Sequence, residues 1–371
     1  MQRNLFGAAL SLAAIAGVGY LGFALARTRA FNRRARSQAS SLPPVSILKP
    51  LHGEEAGLFE NLRTFCEQNY PAFEVILGVR DVHDAALGTA QQIVARYPDR
   101  ARLAIGEGTA GTGNPKVANL TGMLSIARHP IVVIADADMR VEPNYLRQLV
   151  EPFEASDVGA VTCLYAGSPS ENLPSRLGAM FINEQFAPSV LVATALEPLR
   201  YCFGATIAVR RSMLDSIGGF AALGDHVADD HLLGKLVAER GARVVLSNYV
   251  VENVIDEPGF SSLWARELRW SRTIRSVRPL GHAFSFLTFG LPLAALATIV
   301  TRGAFGTPLL LALAASLRVA LHLEANVGST MLIPLRDAMS FAVWVASFAA
   351  RDVDWRGQRL ELDAAGEILE S

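Results

Sequence analysis

The sequence predicts an α/β fold: a mostly parallel sheet with flanking helices, held between N-terminal and C-terminal transmembrane helices. Three observations predict it. From Pro43 onward, short apolar runs alternate with longer amphipathic ones, the rhythm of strand–helix–strand units. Ile131–Arg140 sets five apolar residues in a row before two carboxylates, the pattern of a short strand buried on both faces that ends at a polar edge. Finally, 51% of the 371 residues are hydrophobic and only 19% charged, with the charges unevenly placed, which points to membrane segments.

Leu5–Ala26 is a continuous apolar run, close to the ~20 residues needed to cross a bilayer. Arg27, Arg29, Arg33, Arg34 and Arg36 follow it and only Arg3 precedes it, so the positive-inside rule places the following chain in the cytoplasm. Residues 1–30 therefore read as a retained anchor. A cleaved signal peptide is the rival, but it would carry its charge ahead of the run and a small-residue cleavage site after it.

Residues 43–260 read as a cytoplasmic domain. Val45–Leu48, Val75–Val79, Leu103–Ile105 and Ile131–Ala135 read as strands, and Leu58–Gln68, Ala85–Tyr97 and Lys116–Ala127 as the helices between them. The glycine-rich Gly106–Gly113 lacks the Gly-Lys-Ser/Thr ending of a phosphate-binding loop and reads as a mobile loop. After it, Asn114-Pro115-Lys116 puts proline near a helix start and a cation beside an anion-friendly N-terminus. Tyr201–Arg210 reads as a strand that passes close to a ligand, because Gly204 and Ala205 leave room for backbone approach. Gly218-Gly219 marks a turn, and a helix opens at Asp229-Asp230 and stops at Gly241.

Residues 261–280 read as an interfacial helix in which Arg266, Arg269 and Arg272 can share a face among Trp264, Leu268, Trp270 and Ile274. The C-terminal membrane region, 283–350, holds Phe284–Val300 and Ala304–Leu321, two spanning helices joined by a tight hairpin, and a shorter run, Ala338–Ala350. The polar break Pro334–Asp337 before that last run leaves its topology open between re-entrant and interfacial. Residues 351–371 are a polar tail. Cys66, Cys163 and Cys202 show no paired spacing, so neither a disulfide framework nor a zinc site is indicated. A net charge of −1 gives no electrostatic case for a nucleic-acid partner.

Residues two apart in extended chain point to one side, so Asp136 and Asp138 can converge on a cation or a sugar hydroxyl at the carboxyl end of the sheet. A turn with two solvated acids is the competing reading. Asp81, also at a strand end, reads equally as a turn residue, and acids at 229 and 230 equally as helix caps. Acids at two strand ends of one sheet favour a shared crevice.

Taken together, Val45–Pro50, Gly78–Asp81, Asn114–Lys116, Asp136-x-Asp138, Asp229-Asp230 and Arg266-x-x-Arg269-Trp270 resemble the ceramide-glucosyltransferase-like family of inverting, membrane-anchored glycosyltransferases with a GT-A fold, which includes bacterial hopanoid-pathway N-acetylglucosaminyltransferases. The resemblance runs from about Pro43 to Pro279. It implies a UDP-sugar-dependent lipid glycosyltransferase of the bacterial inner membrane, moving glucose or N-acetylglucosamine to a hopanoid polyol or a ceramide. It also implies roles: Mg²⁺ or Mn²⁺ on Asp138, with Asp136 near ribose or metal; Asp81 on the uridine; Lys116 in the donor site. Asp230 falls at the general-base position, Arg269 at the diphosphate, Trp270 at the acceptor wall, and Arg266 at the first position of the Arg-Trp motif. Asp229 departs from the family, which often has Glu there. A processive polysaccharide synthase and an inactive membrane scaffold are the alternative functions.

Overall fold

The computed structural model describes residues 2–35, 39–106, 113–325, 327–349, 353–355 and 358–360. Most of the glycine-rich loop expected to be mobile and most of the C-terminal tail lie outside these residues.

A first helix, α1 (Gln2–Asn32), leads into the strand–helix alternation: β1 (Val45–Leu51), α2 (Leu58–Cys66), β2 (Phe73–Val79), α3 (Ala86–Arg96), β3 (Ala101–Ile105), α4 (Pro115–Ile126) and β4 (Ile131–Ala135). There follow β5 (Met139–Arg140), α5 (Tyr145–Leu149), β6 (Val158–Pro169), α6 (Leu173–Phe181), a π-helical turn (Ile182–Phe186), α7 (Ala187–Leu196), β7 (Thr206–Arg210), α8 (Arg211–Ser216), α9 (Asp229–Glu239) and β8 (Arg243–Ile255). Eight strands form one sheet in the order β3-β2-β1-β4-β7-β6-β8-β5. The first four are parallel, as expected, but β7 runs antiparallel to both β4 and β6, so the sheet is mixed.

That reversal positions the site. The carboxyl end of β4 lies opposite the beginning of β7, with Ala135 paired to Thr206. Gly204 and Ala205, which precede β7, therefore reach the same edge as Asp136. All seven residues of β1 and all five of β4 are buried because apolar layers cover both faces. Val45, Ile47 and Leu51 pack on one side with Leu62, Phe65 and Ile93, while Leu48, Ile76 and Ile134 pack on the other with Leu120, Met123 and Leu233. At roughly 1.5–3 kcal/mol for each large aliphatic side chain fully removed from water, this layering makes the strand ends a firm platform.

Then come α10 (Phe260–Val277), α11 (Pro279–Phe284), a 3-10 turn (Ser285–Thr288), α12 (Gly290–Thr301), α13 (Thr307–Ala325) and α14 (Ile333–Ala346); two short strands, β9 (Val353–Trp355) and β10 (Gln358–Leu360), pair antiparallel. Among the described residues, three helical stretches are long and apolar enough to cross a membrane: Leu5–Asn32, Leu173–Leu196 and Thr307–Ala325. The run Phe284–Val300 is not one straight span. It breaks before Gly290 with a 65° bend, one turn ahead of Pro292, whose ring cannot continue a helix that began earlier. Leu173–Leu196 was not expected as a span, because Arg176, Glu184 and two prolines interrupt its apolar pattern. The polar break at Pro334–Asp337, read as able to begin a helix, forms the first turn of α14, where proline needs no N–H partner.

Helices α1, α12 and α13 pack together through Ala14, Val18, Leu21, Leu293, Ala294, Ala297 and Ala314. At the crossing of α1 and α12, a Cβ on Gly17 would stand 2.8 Å from the Cα of Gly290, so only glycine permits that approach.

Candidate active site

Strand β4 ends at Ala135, and the next residue, Asp136, forms an ion pair with Lys116 (Oδ1 to Nζ, 2.8 Å) at the start of α4. Asn114 caps that helix, accepting the Lys116 N–H at 2.9 Å, and so fixes where the lysine stands. Lys116 also lies 3.9 Å from Asp229 at the start of α9. Burial works against its charge, but Asp136, Asp229 and Asp230 outweigh that and raise its pKa. Asp230 accepts the Gly204 N–H at 2.8 Å and the His231 N–H at 2.7 Å.

Gly204 is the hub of this arrangement. A Cβ there would lie 3.3 Å from Asp230, 3.5 Å from Asp136 and 3.7 Å from Lys116. Three of the expected residues thus converge around a point that carries no side chain. Asp138 sits behind them, tied to β8 by the Asn253 amide (2.7 Å) and by its own carbonyl accepting the Val254 N–H at 2.9 Å.

The electrostatics follow from crowding acids out of water. Burial, with Asp136 beside it, raises the pKa of Asp138. Asp229 is pushed up to about 6 by burial and by Asp230 and Asp136, against the pull of Lys116. Burial also raises Asp230. Beneath the pair lies Lys49, fully buried in β1, donating to the Asp136 carbonyl and standing 3.8 Å above the Phe65 ring. Burial pushes its ammonium down to about 8, although Asp138 and Asp136 oppose the shift. Excess negative charge of this kind, presented by hard oxygen atoms, fits Mg²⁺ or Mn²⁺. Among the described residues no group of three or more His, Cys, Asp or Glu could hold a metal, so a ligand would have to supply the remaining oxygens.

Asp81 lies on the same edge of the sheet but does not join the cluster. It is exposed and accepts the His83 N–H at 2.8 Å. With β1 between β2 and β4, it stands two strand spacings away, about 10 Å.

A helix forms over most of residues 261–280, and this helix, α10, brings two of its three motif residues against the site. Trp270 packs with Tyr165, Phe181 and Phe186 on the cluster of Ala179, Ile182 and Ile255. Arg266 pairs with Glu257 at 2.8 Å, lies 5.1 Å above the Trp270 ring, and leaves its Nε and Nη2 without hydrogen-bond partners. Phe181 stacks near Trp270 at 6.0 Å. Arg269, half-buried, precedes Trp270 on α10. Tyr165 links the two halves: burial and the charges of Asp230, Asp138 and Asp136 raise its pKa, and Arg266 lowers it.

Sequence reasoning gave no role to Lys49, Tyr165, Asn253 or Glu257. A lysine inside an apolar strand was the available signal for the first. The others come from β6, β8 and the segment after β8, where nothing local marks a site.

A mixed sheet whose first four strands are parallel, flanked by helices and with acids at its carboxyl edge, has the architecture of the GT-A glycosyltransferase fold. A mannosyltransferase from Pyrobaculum calidifontis, solved in complex with GDP-Man and Mn²⁺, shares it: TM-score 0.59 and 21% identity, over 93% of this chain and 99% of that one. Residues 9–368 match glycosyl transferase family 21, and the chain belongs to that family. It is 24% identical over 210 residues to ceramide glucosyltransferase 1 of Caenorhabditis elegans, covering 56% of this chain and 45% of that protein. It is 26% identical over 274 residues to a β-monoglucosyldiacylglycerol synthase of Trichormus variabilis, covering 71% of this chain and 55% of that protein. The chain spans about half the length of these curated relatives.

Proposed function

We propose that this protein is a membrane glycosyltransferase that moves a hexose, glucose or N-acetylglucosamine, from a UDP-sugar to the hydroxyl of a membrane lipid, with inversion at the anomeric carbon. A hopanoid polyol is the favoured acceptor and a ceramide the next. The observation that carries the reading is the convergence of Asp136, Lys116 and Asp230 around Gly204, beside a helix that leads directly to apolar segments.

In this reading Asp81 holds the uracil–ribose end of the donor, about 10 Å from the acid pair. Asp138, with Asp136, would hold Mg²⁺ or Mn²⁺, which would supply positive charge to offset that of the departing diphosphate. Lys116 and Arg269 stand on that diphosphate. The acceptor oxygen attacks the anomeric carbon as the sugar–phosphate bond breaks, and Asp230 takes the hydroxyl proton. Two backbone N–H groups hold the Asp230 carboxylate in place, while burial raises its proton affinity toward that needed of a base. Arg266 stacks on Trp270 and steadies it as the acceptor wall. The family match and the glycolipid-synthase relatives support this reading, and the apolar helices support a membrane setting. We place the protein in a bacterial inner membrane with the sheet domain in the cytoplasm.

The test is to incubate membranes holding the protein with UDP-glucose or UDP-N-acetylglucosamine and hopanoid, ceramide or diacylglycerol extracts, and to identify the product by mass. A single hexose added to a lipid is expected. A sugar polymer, or UDP release with no glycolipid, would overturn the reading.

A further inference from the structure

Helix α10, which carries Arg266, Arg269 and Trp270, is held in place by buried charges. Both carboxylate oxygens of Glu267 accept from Arg336 of α14, each at 2.7 Å, and the two side chains are 1% and 0% exposed. Arg336 also donates to the Leu177 carbonyl of α6 at 3.0 Å and to the Ser340 hydroxyl at 3.1 and 2.8 Å. All five of its N–H groups are thereby used.

The chain of contacts continues. Next to Arg336, Asp337 accepts from Arg318 of α13 at 2.9–3.1 Å and from Gln185 of the π-helical turn at 3.2 Å. Arg318 donates to Glu184 at 2.7 Å, and the other oxygen of Glu184 meets His322 Nδ1 at 2.8 Å. Ser340 donates to Gln185 at 2.5 Å. A line of polar side chains, buried except for the half-buried Gln185, thus joins α10 to α13, a helix long and apolar enough to cross a membrane.

Stability alone is a poor account of such a network, because replacing a buried ion pair by apolar residues of similar volume is often neutral or stabilising. What a forked arginine–carboxylate pair supplies, and an apolar contact does not, is a fixed roll and register of the helix. With side chains at a radius of about 5–6 Å, a roll of about 20° moves a ring by about 2 Å. A shift of 1 Å is enough to lower a rate ~100-fold.

We propose that Glu267 and Arg336 are positioning residues that set where Arg266, Arg269 and Trp270 meet donor and acceptor, and that Asp337, Arg318 and Glu184 extend that control to α13. The proposal rests on the reading of α10 as the closing helix of a transfer site.

The test uses the full chain in lipid nanodiscs, with its four tryptophans replaced by 5-fluorotryptophan and the Trp270 resonance assigned through Trp270→Phe. In the double variant Glu267→Leu/Arg336→Met, melting at or above the wild-type temperature is expected, with a shifted or split Trp270 resonance. The turnover number should fall tenfold or more while the donor KM changes less than threefold. Arg336→Lys, which keeps the charge and loses the fork, should fall between. An unmoved resonance in the stably folded double variant, or unchanged turnover, would overturn the proposal. So would turnover losses that simply track the fraction folded. If the wild type itself transfers no sugar, the fluorine resonance still decides the question, and the two failures remain distinct.

Discussion

At the residue scale, the site is built from carboxylates that the fold keeps partly against their preference. Asp230→Asn is expected to lower transfer 100-fold or more, with donor binding largely kept, because a general base contributes about 10²–10⁴; single-turnover assays beside nucleotide titration check it. Asp138→Asn should weaken metal-supported donor binding and yet raise the melting temperature of the ligand-free protein. The folded-state pKa of Asp138 lies above its unfolded value, so its contribution to stability is present at low pH and lost as pH rises through that pKa. The variant's advantage should therefore be largest at pH 7 and shrink on acidification, as melting curves across pH would record. Activity needs the opposite protonation state. It should decline on acidification as Asp230, raised by burial, takes up a proton, and in Asp229→Asn that limb should move to lower pH, since Asp230 loses an acidic neighbour. A limb unmoved in the variant's pH–rate profile would assign it to another group.

Elements differ in how openly their sequences declare them. The first four strands and the helices between them were legible because apolar runs and amphipathic runs alternate cleanly, and α9 stops at Gly241 (φ +80°) as its glycine predicts. The direction of β7 was not legible, since alternation specifies which residues are buried and not which way a strand runs. Leu173–Leu196 hid for a different reason: Glu184 and Gln185 interrupt its apolar pattern, and only the fold shows that α13 and α14 supply partners for them. Arg336 and Asp337 read as a polar break able to begin a helix, and α14 does begin there, but nothing local showed that both side chains are buried. In the membrane bundle, a side chain at Gly17 or Gly290 must displace backbone, and Gly17→Leu is expected to destabilise the protein by about 1–3 kcal/mol. Thermal unfolding of the detergent-solubilised chain measures this, with Gly19→Leu as the control, because nothing lies within 4 Å of a Cβ at Gly19.

On the scale of the whole molecule, the sheet domain presents its acids toward the same side as α10. That Asp136, Asp138 and Asp230 lie at one edge of the sheet was legible in the sequence, because acids at strand ends and helix starts have so few places to go in an α/β sheet. Lys49 and Tyr165 were not, because their part is visible only when strands distant in sequence lie side by side. The arginines after α1 predict a cytoplasmic sheet domain. Single cysteines introduced at exposed Arg80 and Glu239, in a background lacking the three buried native thiols, should react with an impermeant maleimide only in inverted vesicles. Reaction in right-side-out vesicles would reverse the topology.

The turning point between β4 and β7 also sorts the surface into parts that tolerate change and parts that do not. A deletion between Leu196 and Thr206 would be absorbed directly over the acids, whereas on the far rim the Arg211 amide donates to the Pro130 carbonyl at 2.8 Å, at the other end of β4. A reporter domain inserted near exposed Asp99, also on the far rim, should be carried with little loss of turnover, and the same insertion near Arg200 should silence the protein.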